Sequence, residues 1–472
     1  MSIPEPTPAQ LTPIAPHPRM TVIGTGYLGA THAICMAILG FDVLGVDVDQ
    51  RKIDQLAAGI VPFFEPGLPE KLAEAMESGR LRFTTSFDEA AEFGDVHFIC
   101  VGTPQTKGSD AADLTYVDAA FTALASRITR KALLVGKSTV PIGTAQRLTE
   151  LVAEISPLGT ELELAWNPEF LREGFAVQDT LHPDRLVFGV ASTWAERQLR
   201  AAFAPILAEE TPLVVADLAT AELVKVAANS FLATKISYIN AMAEVCEATG
   251  ADVNLLAVAL GHDARIGSRF LKPGLGFGGG CLPKDIRAFK YRAEQLGVGQ
   301  AVAFLGEVDA INLRRRSRTV DLIRELAGGD LTGVRVAALG AAFKPNSDDV
   351  RDAPALDVAR MLYLEGASVV VFDPEANENA HRAYPDLDYA ETLAEAVAGA
   401  EVVALLTEWD QFRVADPEEL GALVAARNIV DGRHALDADL YRAAGWEYRA
   451  LGRPSAGATV TLIENARDSV SL

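Results

Sequence analysis

Met20-Thr21-Val22-Ile23-Gly24-Thr25-Gly26-Tyr27-Leu28-Gly29 is the stretch whose reading decides the fold. Residues 20–23 are a short apolar run and the glycines make a turn. Residues 30–39 are apolar and helix-like, Gly40 stops them, and residues 42–46 form a second apolar run that ends at Asp47. Strand, turn, helix and strand in that order are a β-α-β unit. Glycine at positions 24, 26 and 29 permits a tight turn, close approach of a pyrophosphate to backbone N–H groups and close helix-to-strand packing. Asp47 follows Gly24 by 23 residues, where a carboxylate binds a ribose diol and repels a 2′-phosphate. The unit predicts a dinucleotide site that takes NAD in preference to NADP.

The same alternation continues outward. Residues 96–101, 132–137, 163–166 and 186–190 are further apolar runs with helix-like segments between most of them, which predicts a parallel sheet covered by helices on both faces. Residues 220–249 contain neither Pro nor Gly and are apolar at helical spacing throughout, so one long helix is expected, ended by Gly250. Helix-like sequence resumes over 284–326. Strand runs then return at 334–339, 368–372, 401–406 and 428–430, with helices at 355–365 and 391–398. The expected fold class is α/β, with two Rossmann-like doubly wound domains joined by a long central helix. The expected boundaries are 19–217, 218–325 and 326–455, with a Pro-rich flexible tail over 1–18 and a short tail over 456–472.

Length and charge agree with that plan. At roughly 150 residues per domain, 472 residues suggest about three units, and 49% hydrophobic with 22% charged residues is an ordinary globular mixture. A net charge of −22 repels polyphosphate backbones and anionic surfaces, so neither a nucleic acid nor a membrane is expected as partner, although a basic pocket for a small anion is not excluded. Four scattered cysteines, Cys35, Cys100, Cys246 and Cys281, show no metal-ligand or disulfide spacing, so no metal is expected and a reducing cytoplasm is. The first eighteen residues carry six prolines but no basic and apolar regions of a signal peptide.

On the long helix, Lys225 and Asn229 are four residues apart and share one face amid apolar neighbours, a setting in which a lysine assists proton transfer or steadies an oxyanion. Between Arg265 and Asp285 lie five glycines (274, 276, 278, 279 and 280) closed by Cys281 just before Pro283. That loop is able to wrap a ligand, and the sulfur is expected at a helix N-terminus whose dipole lowers its pKa. Asp285, about one turn on, opposes a thiolate and suits water orientation or proton handling. Cys35, Cys100 and Cys246 read as small core residues. Ser138-Thr139-Val140-Pro141 and the segment from Trp166 to Gly174 follow strand ends, as do Phe343-Lys344-Pro345 with Arg351, and Asp431-Gly432-Arg433. All sit where doubly wound sheets keep ligands.

With GTGYLG, ICVGTP, STVP, NPEFLREG, GFGGGCLPKD, FKPNSDD and DGR in this order, the chain resembles the UDP-glucose/GDP-mannose dehydrogenase family from about Met20 to Arg453. The cysteine motif is specific to that family; the GxGxxG is not. The resemblance implies oxidation of a sugar C6 hydroxymethyl to a carboxylate with two NAD+ consumed. Cys281 is then the nucleophile that forms a thiohemiacetal and a thioester. Lys225 with Asn229 assists the alcohol step, and Thr139, Glu169 and Asp285 handle water and protons. It further implies nucleotide-sugar contacts at Phe170, Leu171, Lys225, Asn229, Arg265, Lys272, Phe277, Gly278, Phe343, Lys344 and Arg433. NAD contacts are implied at Gly24, Gly26, Tyr27, Leu28, Gly29, Asp47, Lys52, Thr103, Glu173 and Arg351. The C-terminal α/β domain is implied to bind the nucleotide sugar, and the central helix to form a homodimer interface.

Residues 265–267 and 274–277 resemble the UDP-glucose branch more than the GDP-mannose or UDP-N-acetylhexosamine branches. UDP-glucose is therefore the expected substrate and UDP-glucuronate the product, with those other sugars or a non-catalytic nucleotide-sugar sensor as alternatives. One departure is Gly280, where many relatives carry Ser, a change that a glycine-rich loop is expected to tolerate.

Overall fold

Strands at the centre of both sheets are runs of four or five residues rich in Val, Leu, Ile, Phe and Ala, buried on both faces as strands roofed by helices must be. The computed structural model describes residues 17–453, so the expected tails lie outside the described residues except for His17 and Pro18. The first sheet comprises β1 (Met20–Ile23), β2 (Val43–Val46), β3 (Leu81–Thr84), β4 (Val96–Ile99), β5 (Leu133–Gly136), β6 (Glu163–Trp166), β7 (Leu186–Gly189) and β8 (Leu213–Ala216). Their order is β3-β2-β1-β4-β5-β6-β7-β8. The second comprises β9 (Arg335–Leu339), β10 (Ser368–Phe372), β11 (Asp388–Tyr389), β12 (Val402–Leu405), β13 (Asn428–Asp431) and β14 (Glu447–Ala450), ordered β11-β10-β9-β12-β13-β14.

Six strands of each sheet thus follow one doubly wound pattern, whose direction of winding reverses between β1 and β4 in the first sheet and between β9 and β12 in the second. Ligand crevices of such sheets open at those two points, beyond the carboxyl ends of the strands. The expectation of a wholly parallel first sheet is corrected at one joint. β6 meets β7 antiparallel, Trp166 opposite Gly189, because the connection that carries Asn167 to Gly174 turns back instead of crossing over.

The long helix spans Leu218–Thr249. Asp217 caps it by accepting from Thr220 N, and Gly250 ends it in the left-handed region at φ 76°. Its buried face packs on the helices Leu282–Gln295 and Phe304–Leu326. The sequence suggested these two as a single stretch; Gly297 at φ 76° and a 3₁₀ turn at Gly299–Val302 divide them. Cys35, Cys100 and Cys246 are buried, as expected of core residues. Among the described residues no helix is long and apolar enough to cross a membrane.

Candidate active site

At the end of β1, Gly24 holds φ 91°, and a Cβ on Gly29 would stand 1.7 Å from the Gly24 carbonyl oxygen. Only glycine lets the helix Tyr27–Ile38 come this close, and Gly26 faces open space at the helix N-terminus, where a phosphate is favoured. Asp47 Oδ2 accepts from Thr25 N (2.8 Å) and Thr25 Oγ1 (3.1 Å), Oδ1 accepts from Asp49 N (3.0 Å), and Lys52 Nζ lies 3.6 Å away. Oδ1 keeps acceptor capacity for a ribose hydroxyl. Leu28 packs into the core below, and the Tyr27 hydroxyl donates to Glu65.

The second sheet repeats the turn, with Gly340 at φ 109°, but its acid is saturated. Asp373 Oδ2 accepts from Ala341 N, Ala342 N and Trp409 Nε1, and Oδ1 from Glu375 N and Ala376 N. A carboxylate has about four acceptor positions, so Asp373 has none left for a diol. The residues fit NAD on the first sheet only.

Next to that crevice the long helix brings in its polar pair. Lys225 Nζ donates to Glu169 Oε1 at 3.2 Å and lies 5.5 Å from the Phe170 ring centroid, while Leu171 N donates to Glu169 Oε2 at 2.7 Å. Asn229 Nδ2 donates to Asp285 Oδ2 at 2.7 Å, and Lys284 Nζ to Oδ1 at 2.6 Å. Burial works to lower the Lys225 pKa, but the charges of Glu169, Cys281 and Asp285 outweigh it and leave the ammonium favoured. Thr103 Oγ1 donates to the Thr139 carbonyl at 2.8 Å, joining the loops after β4 and β5.

Cys281 is the N-cap of Leu282–Gln295, where the sequence placed it, but its pKa is a correction. The sulfur's residue is open to solvent, yet the protein packed around the thiol and the Asp285 carboxylate push its pKa up to about 11, with Lys225 pulling the other way. A helix N-terminus contributes about 0.3–1 kcal/mol, less than about one pKa unit, which is too little to offset desolvation and a carboxylate together.

The glycine loop is moored from three sides. Asn240 accepts from Gly274 N at 2.9 Å; Asn312 accepts from Phe277 N at 2.8 Å and donates to Phe277 O at 2.9 Å; Arg433 donates to the carbonyls of Gly276 (2.9 Å), Leu406 (2.7 Å) and Phe343 (3.2 Å). Close approach explains the glycines. A Cβ would stand 2.3 Å from Asp352 O at Gly278, 2.9 Å from the Phe343 ring at Gly279, and 2.3 Å from the Arg351 guanidinium carbon at Gly280. Glycine at position 280 fits this packing, with the Arg351 guanidinium lying where a serine side chain would stand.

Arg351 also pairs with Asp349 (2.7 Å) and reaches Glu173 (3.5 Å), so it bridges the two sheets' loops. Burial and Asp349 push Glu173 up to about 7, and burial lowers Lys344, whose Nζ lies 5.1 Å from the Phe343 ring. A cleft of about 600 Å³ opens here, lined by Tyr27, Phe63, Glu173, Asp349, Arg351 and Arg382 among others. Lys272 and Arg433 converge on Glu408 at 3.9 and 3.5 Å. Arg265 is not brought to this cluster; its guanidinium is exposed and pairs with Asp263 at 2.6 Å. Sequence reasoning missed Asn240, Asn312 and Glu65. A buried asparagine on an apolar helix face was the available signal for the first two.

Residues 18–207 match the family model for the NAD binding domain of the UDP-glucose/GDP-mannose dehydrogenase family, residues 219–314 its central domain and residues 337–438 its UDP binding domain. The chain belongs to the UDP-glucose/GDP-mannose dehydrogenase family. As a family member it is an NAD-dependent oxidoreductase. It is 40% identical over 438 residues to the UDP-glucose 6-dehydrogenase of Rhizobium meliloti (strain 1021), covering 92% of this chain and 100% of that protein. To the UDP-glucose 6-dehydrogenase YwqF of Bacillus subtilis (strain 168) it is 39% identical over 436 residues, 92% of this chain and 98% of that one. A solved UDP-glucose dehydrogenase from the hyperthermophilic archaeon Pyrobaculum islandicum superposes with a TM-score of 0.85 at 38% identity, covering 93% of this chain and 98% of that one. Family membership assigns the two crevices: the dinucleotide belongs to the first sheet and a UDP group to the second.

Proposed function

We propose that this family member oxidises the C6 hydroxymethyl of UDP-glucose to the carboxylate of UDP-glucuronate, with two NAD+ reduced per sugar. The observation that carries the reading is Cys281, capping a helix beside the glycine loop and electrostatically coupled to both Lys225 and Asp285. A thiol so placed has no use in a single alcohol-to-carbonyl step; it suits the covalent capture of an aldehyde. Relatives that print UDP-glucose in their names, at 40% and 39% identity over nearly their whole length, support the choice of sugar.

The turn at Gly24, Gly26 and Gly29, with Tyr27, Leu28, Asp47, Lys52, Thr103, Glu173 and Arg351, holds NAD, which when bound supplies the hydride acceptor for both oxidations. Lys225, oriented by Glu169, steadies the alkoxide as the hydroxyl proton leaves, and Asn229 positions that oxygen. Cys281 sulfur bonds to the aldehyde carbon while the carbonyl π pair moves to oxygen, which takes up the thiol proton and becomes the thiohemiacetal hydroxyl; because the thiol pKa is high, the proton moves during attack and no standing thiolate is needed. Loss of a hydride and the hydroxyl proton turns the thiohemiacetal into a thioester. Water oriented by Thr139, Glu169 and Asp285 adds to the thioester carbonyl and expels the thiol, leaving the carboxylate. Phe170 and Leu171 border the sugar. Phe277, Gly278, Lys272, Phe343, Lys344 and Arg433 receive the nucleotide, whose charge is met by the half-buried Lys344 and Arg433 and the exposed Lys272 inside an acidic protein.

A homodimer and a cytoplasmic setting complete the proposal. Leu223, Phe231, Tyr238 and Val245 are exposed on the long helix at spacings of eight, seven and seven residues, a single apolar stripe suited to the same stripe on a second copy. Phe231→Glu is expected to sediment as a monomer if so. Four free cysteines fit a reducing compartment.

NADH absorbance across a panel of UDP-glucose, UDP-N-acetylhexosamines and GDP-mannose tests chemistry and substrate together. UDP-glucose is expected to give the highest kcat/KM. Tight binding of these sugars without NADH from any of them would favour a sensor and reject the proposal.

A further inference from the structure

Lys137, directly after β5, is a lysine that the two oxidations do not use. Its side chain is buried, and Nζ donates to Asn167 Oδ1 at 2.8 Å. Asn167 in turn donates from Nδ2 to Val187 O at 2.9 Å and from its backbone N to Gly136 O at 2.8 Å. Asn167, Pro168 and Glu169 are consecutive, so this buried lysine grips the base of the turn that presents Glu169 to Lys225.

A buried ammonium left without a countercharge is strongly disfavoured. The groups acting on Lys137 come from every neighbouring element: Cys100 after β4, Glu169 after β6, Lys225 on the long helix and His32 on the helix Tyr27–Ile38, with the Phe203 ring 5.7 Å away. His32 is kept neutral by burial and Cys100 by the same cause, so neither balances the lysine. Glu169 is the carboxylate in this group, and it already pairs with Lys225. Burial lowers the Lys137 pKa, the Glu169 carboxylate supports the ammonium, and Lys225 opposes it.

We propose that Lys137 is a positioning residue for Glu169: through Asn167 it fixes the turn that carries the carboxylate, and as a second buried cation it shares that carboxylate with Lys225. Sharing loosens the hold of Glu169 on Lys225 and leaves the Lys225 ammonium available to a developing alkoxide. The inference rests on the proposed role of Lys225 and Glu169 in the alcohol step.

Lys137→Met keeps the stem volume without charge or donor, and Lys137→Gln keeps a donor for Asn167 without charge. Both are measured with UDP-glucose and NAD+, alone and in a Glu169→Gln background, for kcat, KM and the pH profile. Lys137→Met is expected to lower kcat about tenfold or more with KM for UDP-glucose within about threefold, and to move the acid limb of the kcat profile up by about one pH unit. Lys137→Gln is expected to lose less kcat while keeping the shifted limb. In the Glu169→Gln background either change is expected to alter kcat by less than about twofold, because the group it acts through is gone. The inference is overturned by an unmoved acid limb in both variants, or by the same loss of kcat with and without Glu169; a merely structural role gives that additive loss. Should Lys137→Met fail to fold, Lys137→Gln and its double variant carry the comparison. Wild-type protein that makes no NADH from UDP-glucose overturns the underlying reading, and this inference with it.

Discussion

Lys225 Nζ and Glu169 Oε1 stand 3.2 Å apart with only 6% and 13% of their side chains exposed, so the two charges hold each other with little help from water. Removing one partner strands the other, at a cost of about 3–5 kcal/mol in comparable buried pairs. Lys225→Met and Glu169→Gln are each expected to lower kcat/KM by about 10²–10⁴, and the double variant by far less than the product of the two. Fully multiplicative losses, read by NADH absorbance, would show that the two residues act separately.

Thiol reactivity reports the electrostatics of Cys281. With its pKa raised to about 11, the thiolate fraction climbs roughly tenfold per pH unit through neutrality, so iodoacetamide labelling of the unliganded protein is expected to accelerate from pH 7 to pH 10 without levelling. Asp285→Asn removes a negative charge that favours the protonated thiol and is expected to speed labelling at pH 8; Lys225→Met removes a positive charge and is expected to slow it. A plateau below pH 9 would mean a preformed thiolate. Cys35 and Cys100 are buried with pKa values pushed up to about 12 and are expected to stay unlabelled in the folded protein.

Asn312 replaces a missing strand partner for Phe277, accepting from its N–H at 2.8 Å and donating to its carbonyl oxygen at 2.9 Å. Asn312→Leu leaves both backbone groups buried and unpaired, at about 1–3 kcal/mol each, partly offset by the added apolar volume. Thermal unfolding is expected several degrees lower, with KM for UDP-glucose raised more than KM for NAD+. Equal increases in the two would detach Asn312 from the nucleotide-sugar loop.

Much of the fold was legible because central parallel strands are continuous apolar runs. Each strand that escaped notice, β3, β8, β11 and β14, is an edge of one of the two sheets. Edges lack a neighbour on one side; Arg82 interrupts β3, Glu447 and Arg449 interrupt β14, and β11 has only two residues, so no unbroken apolar run marks these three, whereas β8 (Leu213–Ala216) is such a run and has no such reason for being missed. In the site, the glycine turn, the cysteine cap and the lysine–asparagine helix face were legible because each depends on residues within a turn or two. Partners brought in by folding were not. Asn312 meets Phe277 across 35 residues and Lys137 meets Asn167 across 30. The thiol shows the same limit: the helix N-terminus is a local feature, whereas the packing that raises its pKa is set by the tertiary fold.

Counting NADH against limiting UDP-glucose, in wild type and Cys281→Ala, tests the central claim most directly, that Cys281 carries a second oxidation on the same sugar. Two NADH per UDP-glucose are expected from wild type, and Cys281→Ala is expected to lose steady turnover to UDP-glucuronate. One NADH per sugar in wild type, or a Cys281→Ala variant that still forms two at the wild-type rate, would contradict the account.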